Sequence, residues 1–156
     1  MRHILGKYSS FRYPRIHTIT GFDIDAPPKV VYEILADISQ YPAWNPYFVE
    51  IKGDSVEGAP LEVHIKKPNG QRATATPRMM ALKPCQEIRW GGGIRGLFYG
   101  EHAYLISETV CSGTHVICQE HFEGIALPFA QMEAREEGYC LLGEALKARV
   151  KHLARN

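Results

Sequence analysis

The sequence predicts an α+β fold in which a curved antiparallel sheet of about seven strands wraps round one long C-terminal helix, with two short helices after the first strand. Between residues 48 and 124, runs rich in aromatic and β-branched residues alternate with short turn sequences, which is typical of consecutive antiparallel strands. Residues 30–38 and 128–152 instead carry apolar residues at helical spacing. Wrapping the sheet on the long helix buries the apolar face of each predicted element.

Composition limits the classes of function. The chain's 156 residues fit one domain with a sizeable core. A net charge of +1 and the lack of a continuous basic stripe predict no nucleic-acid partner. No apolar run approaches the roughly 18 residues of a membrane-spanning helix. The four cysteines are widely spaced and form no CxxC pair, so we expect reduced thiols in a cytoplasmic protein.

Residues 1–15 are predicted to form an N-terminal arm ahead of a single domain at residues 16–156. The arm is basic and aromatic, and no acidic residue occurs before Asp23. Its apolar part is too short for a secretory signal, and it contains Pro14. We therefore expect a loose segment that its aromatic side chains pack on the domain.

The domain begins with a strand at residues 16–25 and an amphipathic helix at residues 30–38. The following segment, 41–46, contains two prolines four residues apart, which allows at most one helical turn. We expect Trp44 to pack this turn against the sheet and Asn45 to cap it.

Six strands come next. Asn69-Gly70 is a strong hairpin-turn sequence, and Pro77 indicates a sheet edge or a bulge. The glycine-rich segment 91–96 is predicted to be a flexible rim loop. Before a final hairpin, we predict strands at residues 48–53, 61–67, 71–82 and 87–90.

Residues 128–152 predict one long helix with an apolar and a charged face, and Arg135 belongs to the charged face. Gly138 and Gly143 lie inside this helix, where each costs about 1 kcal/mol relative to alanine. We expect this cost to be offset by a close approach of the helix to the sheet or by space for a ligand. The apolar face carries Met132, Tyr139, Leu142, Leu146 and Val150.

Residues 100–124 predict one long antiparallel hairpin with Ser112-Gly113 in its turn. With the turn centred near Cys111, the opposed pairs are 106/116, 104/118 and 102/120. Opposed Cβ atoms in such pairs lie about 4.5–5.5 Å apart. The largely apolar inward face then carries one ionisable pair, His102 opposite Glu120.

Several short blocks occur in order along residues 18–149 and together resemble the SRPBCC superfamily of START, Bet v 1 and polyketide cyclase/dehydrase relatives. The blocks are Ile24-Asp25-Ala26-Pro27, Leu35-Ala36-Asp37, Tyr41-Pro42-Ala43-Trp44-Asn45-Pro46, Pro77-Arg78, Ile88-Arg89-Trp90, Gly100-Glu101-His102 and Glu120-His121-Phe122-Glu123-Gly124. The resemblance implies the helix-grip fold, with a cavity between sheet and long helix. Members bind lipids, sterols and other hydrophobic ligands, and some cyclise or dehydrate polyketides. Fold resemblance by itself specifies no reaction.

The superfamily's strand pattern also implies which residues line the cavity. From the strands and the long helix these are Trp90, His102, Tyr104, Glu120, Phe122, Met132 and Tyr139, with Phe48 and Met80 beside them. Tyr104 and Tyr139 are each able to hydrogen-bond a ligand oxygen, although buried tyrosine hydroxyls also find protein partners.

Glu120 and His102 are the candidate catalytic residues. Desolvation in an apolar cavity raises the pKa of a carboxyl group, which suits a general acid or base. His102 is able to share or orient the proton. The alternative is a structural pair, since a buried carboxylate needs a partner whatever the function.

This pair supplies two ligands where zinc usually has three or four, so we expect neither a metal nor an organic cofactor. The first functional hypothesis is binding of a small hydrophobic ligand, polyketide- or lipid-like. The alternative is a cofactor-independent cyclase or dehydratase of natural-product biosynthesis. A third is protein interaction through the N-terminal arm. The oligomeric state stays open between monomer and homodimer.

Overall fold

Nine strands and three α-helices lie in residues 6–10, 13–130 and 134–155, which the computed structural model describes. The predicted α+β class is confirmed, as are the two short helices after the first strand of the domain. The helices are α1 (Pro28–Ala36), α2 (Tyr41–Trp44) and α3 (Arg135–Leu153). The strands are β1 (Gly6–Ser10), β2 (Tyr13–Ile24), β3 (Phe48–Gly53), β4 (Leu61–Lys66), β5 (Arg72–Ala75), β6 (Arg78–Lys83), β7 (Glu87–Ile94), β8 (Phe98–Glu108) and β9 (Thr114–Glu123).

The strands form two antiparallel sheets rather than one. Six of them pair in the order β1-β2-β9-β8-β7-β6, and the other three in the order β3-β4-β5. The prediction of a single strand at residues 71–82 is wrong. The chain leaves the small sheet at Thr76-Pro77 and enters the large one. An isolated bridge between Pro60 and Arg78 joins the two sheets beside this break. Proline cannot donate a ladder hydrogen bond, which accounts for the break at Pro77.

Part of the predicted arm belongs to the large sheet. Strand β1 pairs with the beginning of β2, and β2 starts at Tyr13, three residues before the predicted strand. Residues 1–5 and 11–12 of the arm lie outside the described residues.

The prediction of a flexible loop at residues 91–96 is wrong up to residue 94. Gly91, Gly92 and Gly93 continue β7 and pair with Glu101, Gly100 and Tyr99 of β8. Glycine has a low strand propensity, but the hydrogen-bonded neighbour strand overrides that local preference.

The predicted register of the long hairpin is confirmed. Strands β8 and β9 place Ile106 opposite Val116, Tyr104 opposite Cys118 and His102 opposite Glu120. All six of these residues are buried, so the alternation of the two strands directs them to the inward face.

The close approach of α3 predicted from its glycines is confirmed. A Cβ atom at Gly138 would lie 2.4 Å from the Tyr47 ring, and one at Gly143 would lie 2.9 Å from the Phe22 ring. The helix begins at Arg135 and not near residue 128, since Leu127–Phe129 forms a 3-10 turn and Ala134 has a φ of 60°. A left-handed residue of this kind cannot continue a right-handed helix.

Asn45 caps the turn after α2, as predicted. Its Oδ1 accepts hydrogen bonds from the backbone N–H groups of Tyr47 (3.0 Å) and Phe48 (2.9 Å). Trp44 packs edge-on against Tyr41, which is fully buried in the core. These contacts fix the path of the chain from α2 into β3.

Replacing Gly138 with alanine is expected to destabilise the protein. Helix propensity alone would stabilise the variant by about 1 kcal/mol, but the collision with the Tyr47 ring should reverse the sign to a net loss of about 1–3 kcal/mol. Urea unfolding followed by circular dichroism measures the difference. In a Tyr47→Ala background, which removes the ring, Gly138→Ala should instead stabilise. Stabilisation in both backgrounds would contradict the close packing.

Candidate functional site

A cavity of about 530 Å³ lies between the inward face of the large sheet, the small sheet and the beginning of α3. One part of its lining is aromatic and aliphatic, and another part is ionisable. The aromatic and aliphatic part includes Tyr47, Phe48, Val63, Ile65, Trp90, Phe98 and Phe122. The ionisable part includes Lys67, Arg72, Glu101, His102, Glu120 and Arg135.

The structure brings five of the predicted lining residues to the cavity wall: Phe48, Trp90, His102, Glu120 and Phe122. Tyr104 and Tyr139 are completely buried and lie behind the lining. Tyr104 packs near Tyr41, on the interior side of the sheet.

Met80 does not lie at the cavity, which corrects its predicted position. A bulge interrupts the pairing of β6 with β7 between Met79 and Ala81. Met79, which pairs with Trp90, is buried, whereas Met80 is 43% exposed. Met132, predicted as a lining residue from the long helix, lies outside the described residues.

Glu120 forms an ion pair with Arg135. The Nη1 atom of Arg135 lies 3.3 Å from Oε2 of the Glu120 carboxylate, and both side chains are largely buried. The Arg135 guanidinium also stacks 4.1 Å above the Phe122 ring. The sequence-based assignment of Arg135 to the charged, outward face of the helix is therefore wrong. Its position four residues before Tyr139 was the overlooked signal, because such residues share a helix face.

Tyr139 interacts with both members of the opposed pair, His102 and Glu120. The Tyr139 hydroxyl lies 3.1 Å from Nδ1 of His102, and its interaction with the Glu120 carboxylate lowers the pKa of that group. Tyr139 projects from the second turn of α3, so the helix contributes both partners of Glu120. The three residues form a buried chain in the order His102, Tyr139, Glu120.

Burial changes the protonation of the two titratable strand residues. Desolvation raises the pKa of Glu120, while the Arg135 charge and the Tyr139 hydrogen bond lower it. Desolvation lowers the pKa of His102 from 6.5 to about 3, with a smaller contribution from the positive charge of Arg89. His102 is therefore neutral at physiological pH, and Glu120 has the raised pKa that the sequence predicted.

Aromatic rings surround His102 on several sides. The ring centroids of Trp90, Tyr104, Phe48 and Tyr139 lie 4.5, 4.6, 5.0 and 5.5 Å from that of His102. The Nε2 atom of His102 is buried and has no hydrogen-bond partner in the described part of the chain. This nitrogen is thus enclosed by the surrounding rings and has almost no accessible surface.

Tyr47 and Lys67 are among the further lining residues that the sequence did not predict. Tyr47 directly precedes β3, and strand alternation does not allow both it and Phe48 to face inward from one strand. Lys67 is buried at the end of the small sheet, although a lysine at a predicted strand end normally indicates exposure. Neither position has a periodic signal.

Glycine backbone forms part of the wall. Gly100 pairs with Phe122 across β8 and β9, and a Cβ atom there would lie 2.5 Å from the Phe122 ring. The absence of a side chain lets the ring lie flat over the strand, and Arg135 covers its other side. Phe122 is thereby fixed as a wall of the cavity.

The described residues contain no cluster of three or more His, Cys, Asp or Glu side chains arranged to hold a metal ion. None of their helices is long and apolar enough to span a membrane.

The family model for polyketide cyclase/dehydrase and lipid transport proteins matches residues 16–156. The chain belongs to this family. The resemblance to the SRPBCC superfamily inferred from the sequence is thereby confirmed. A comparison with curated protein sequences found no match.

Solved structures of low sequence identity share the polyketide cyclase/dehydrase family's helix-grip fold. The Zhui aromatase/cyclase from Streptomyces sp. R1128 superposes with a TM-score of 0.72 at 14% identity, covering 90% of this chain and 96% of that one. The major latex-like protein 151 from Panax ginseng reaches a TM-score of 0.71 at 11% identity, covering 86% and 97%. A START superfamily protein from Mycobacterium smegmatis reaches 0.67 at 17% identity, covering 88% and 98%. These similarities show the fold alone.

The lowered pKa of His102 predicts a specific loss of stability in acid. Between pH 6.5 and about 3 the unfolded chain protonates this histidine and the folded protein does not, so acidification favours unfolding. Replacement by phenylalanine removes this contribution. The drop in unfolding free energy from pH 7 to pH 4 should be about 3 kcal/mol smaller in His102→Phe than in the wild type.

Chemical denaturation at the two pH values measures this difference. The raised pKa of Glu120 acts in the opposite direction, but both proteins retain it, so it largely cancels. Replacement of the fully exposed Val110 by alanine is the control: it removes no titratable group and should leave the pH dependence unchanged. Parallel pH profiles for the wild type and His102→Phe would contradict the buried, neutral imidazole.

Proposed function

We propose that the protein binds a small hydrophobic molecule, polyketide- or lipid-like, in the cavity between the sheets and α3. The lining carries the proposal, because aromatic walls enclose about 530 Å³ and a buried polar group interrupts them. Ligand sites typically occupy about 300–1,000 Å³ and combine apolar walls with a few polar groups. A cytoplasmic location, a monomeric or homodimeric state and the lack of an organic cofactor remain predictions.

The guanidinium of Arg135 supports a ligand with at least one oxygen or nitrogen. Arg135 lines the cavity, uses one nitrogen on Glu120 and has further guanidinium donors. A wholly apolar ligand would cover the guanidinium donors without offering them an acceptor, which disfavours it.

Filling the cavity should remove binding of a hydrophobic probe. Ala75 pairs with Val63, and both residues line the cavity from the small sheet. Ala75→Trp places an indole in the space and should weaken the affinity for 1-anilinonaphthalene-8-sulfonate at least tenfold in a fluorescence titration, since probe and indole compete for one volume.

Val110→Trp is the matched control for this experiment. Val110 is fully exposed in the turn between β8 and β9 and does not line the cavity, so the added indole should leave probe affinity unchanged. Circular dichroism confirms that both variants remain folded. Equal affinities of the wild type and Ala75→Trp would refute the cavity as the binding site.

A second candidate function, a cofactor-independent cyclase or dehydratase, is favoured by the electrostatics of Glu120. A carboxyl group with a raised pKa, beside a buried cation and linked by Tyr139 to a neutral His102, has the properties of a general acid–base group. The fold similarity to an aromatase/cyclase is consistent with this function.

The proposed chemistry is elimination of water from a β-hydroxy ketone. The Glu120 carboxylate removes a proton from the carbon next to the carbonyl, and the Arg135 guanidinium stabilises the charge that develops on the carbonyl oxygen. The bond from carbon to the hydroxyl oxygen then breaks, and Glu120 returns the proton to the departing hydroxide. The products are water and a conjugated carbon–carbon double bond, and Glu120 is a carboxylate again.

Substituting Glu120 with glutamine separates the two candidate functions. The amide preserves the shape and the contact with Tyr139 but cannot accept a proton, so turnover should fall by at least about 100-fold. The substrate for the assay is the molecule that native mass spectrometry identifies on protein purified from its own host. Loss of one water from its mass reports turnover, and calorimetry reports affinity. Retained affinity without turnover supports the enzyme, whereas unchanged mass with the wild type supports a binding protein.

A further inference from the structure

We propose that the Tyr47 hydroxyl and the Arg135 guanidinium together bind one oxygen of the cavity ligand, so that this ligand carries a carbonyl group on its hydrophobic framework. The inference rests on the proposed binding function and specifies the chemical class of the ligand. It follows from the position of a tyrosine hydroxyl to which the described part of the protein offers no partner.

Tyr47 is the one tyrosine among the described residues that line the cavity. Its hydroxyl makes no hydrogen bond within the described part of the chain, and it is not among the partnerless polar atoms that are fully enclosed. Because the residue is buried from bulk solvent, the surface that this hydroxyl keeps opens into the cavity. The hydroxyls of Tyr41, Tyr99 and Tyr139 have protein partners instead. That of Tyr104 is enclosed.

The fold accommodates Tyr47 at a cost in free energy. Helix α3 carries glycine at position 138, where a Cβ atom would lie 2.4 Å from the Tyr47 ring, and glycine is a poorer helix former than alanine. Burying a hydroxyl without a partner is a second cost, which a phenylalanine of the same shape would avoid. A partner outside the protein accounts for the hydroxyl, since packing requires only the ring.

Arg135 lies at the same end of the cavity as Tyr47. The Tyr47 ring packs on Gly138, which is three residues after Arg135, and residues at this spacing are neighbours on a helix surface. Arg135 also lines the cavity, where its Nη1 atom lies 3.3 Å from Oε2 of Glu120. The charges of Glu120 and Arg135 both act on the pKa of Tyr47, which agrees with this proximity.

Both groups offer hydrogen-bond donors at physiological pH. Burial raises the pKa of Tyr47, and the negative charge of Glu120 raises it further while Arg135 lowers it, so the hydroxyl keeps its proton. The guanidinium has five N–H donors and no acceptor, and Glu120 occupies one of its nitrogens. A carbonyl oxygen has two lone pairs, so it accepts one hydrogen bond from each group. In the proposed elimination, the same two donors would stabilise the negative charge that develops on this oxygen.

Two probes of the same shape test the requirement for a carbonyl group. 2-Acetylnaphthalene has a carbonyl oxygen where 2-isopropenylnaphthalene has a CH₂ group, and displacement of 1-anilinonaphthalene-8-sulfonate measures both affinities. In Tyr47→Phe, which keeps the ring and loses one donor, the affinity for the ketone should fall about tenfold. The affinity for the alkene should stay within about twofold, because it accepts no hydrogen bond. Comparing the two proteins cancels the different hydrophobicity of the probes.

Tyr32→Phe is the matched control for this substitution. Tyr32 lies in α1, is partly buried against the core and does not line the cavity, so the loss of its hydroxyl should leave both affinities unchanged. An equal loss of affinity for both probes in Tyr47→Phe would overturn the inference, because Tyr47 would then only shape the cavity.

The carbonyl group of the bound probe also reports its donors directly. Hydrogen bonds lower the stretching frequency of a carbonyl group, so the infrared band of ¹³C-labelled 2-acetylnaphthalene on the wild type should lie below its position in hexane. Part of this shift should be lost in Tyr47→Phe. A wild-type band at the hexane frequency would overturn the inference even if the variant failed to fold.

These outcomes separate the inference from the proposed function. If the wild type binds both probes and Tyr47→Phe does not discriminate between them, the carbonyl contact is wrong and the hydrophobic site remains. If the wild type binds neither probe, the proposed function and the ligand class are wrong together.

Discussion

The burial of the Glu120 carboxylate determines how the remaining parts of the structure must be arranged. Removing such a group from water costs several kcal/mol, and the cost is offset only when partners with good geometry replace the solvent. The partners are Arg135 and Tyr139, and both belong to α3. The docking of the long helix on the sheet is therefore also the step that satisfies the buried charge. A fold with this helix displaced would leave Glu120 without compensation.

The helix α3 docks this closely because it has glycine at positions 138 and 143. Tyr47 occupies the space that a side chain at Gly138 would fill, and Tyr47 itself stacks edge-on against Tyr139 at 5.2 Å. A larger residue at this position would move the first turns of α3 outward and carry Arg135 away from Glu120. The small size of Gly138 thus allows Arg135 to stay close enough to Glu120 to form the ion pair. Stability and site geometry cannot be varied independently here.

Features set by neighbouring residues were predictable from the sequence, whereas features set by contacts between distant segments were not. The hairpin register, and with it the juxtaposition of His102 and Glu120, was predictable because strand alternation and turn chemistry are local. The role of Arg135 was not recognised, because its charge suggested solvent while only the partner on β9 justifies its burial. The split at Pro77 into two sheets and the bulge beside Met80 depend on pairing between distant segments. These features require the tertiary context that overrides local propensity.

Because the strands form two sheets, the proposed site has one exposed side at β5 and one buried side at β8 and β9. The inner positions of β8 and β9 form a closed, buried wall that contains His102 and Glu120, whereas all four residues of β5 are exposed although they also line the cavity. A molecule that entered over β5 would pass the exposed side chains of Arg72 and Thr74 first and would reach the buried residues of the large sheet last. For a ligand of the proposed hydrophobic class, contact with the apolar walls would provide most of the binding free energy, because that term scales with the apolar area removed from water. Polar groups of such a ligand would be discriminated most strictly at the closed end, since an unsatisfied donor or acceptor is penalised most where water has been excluded.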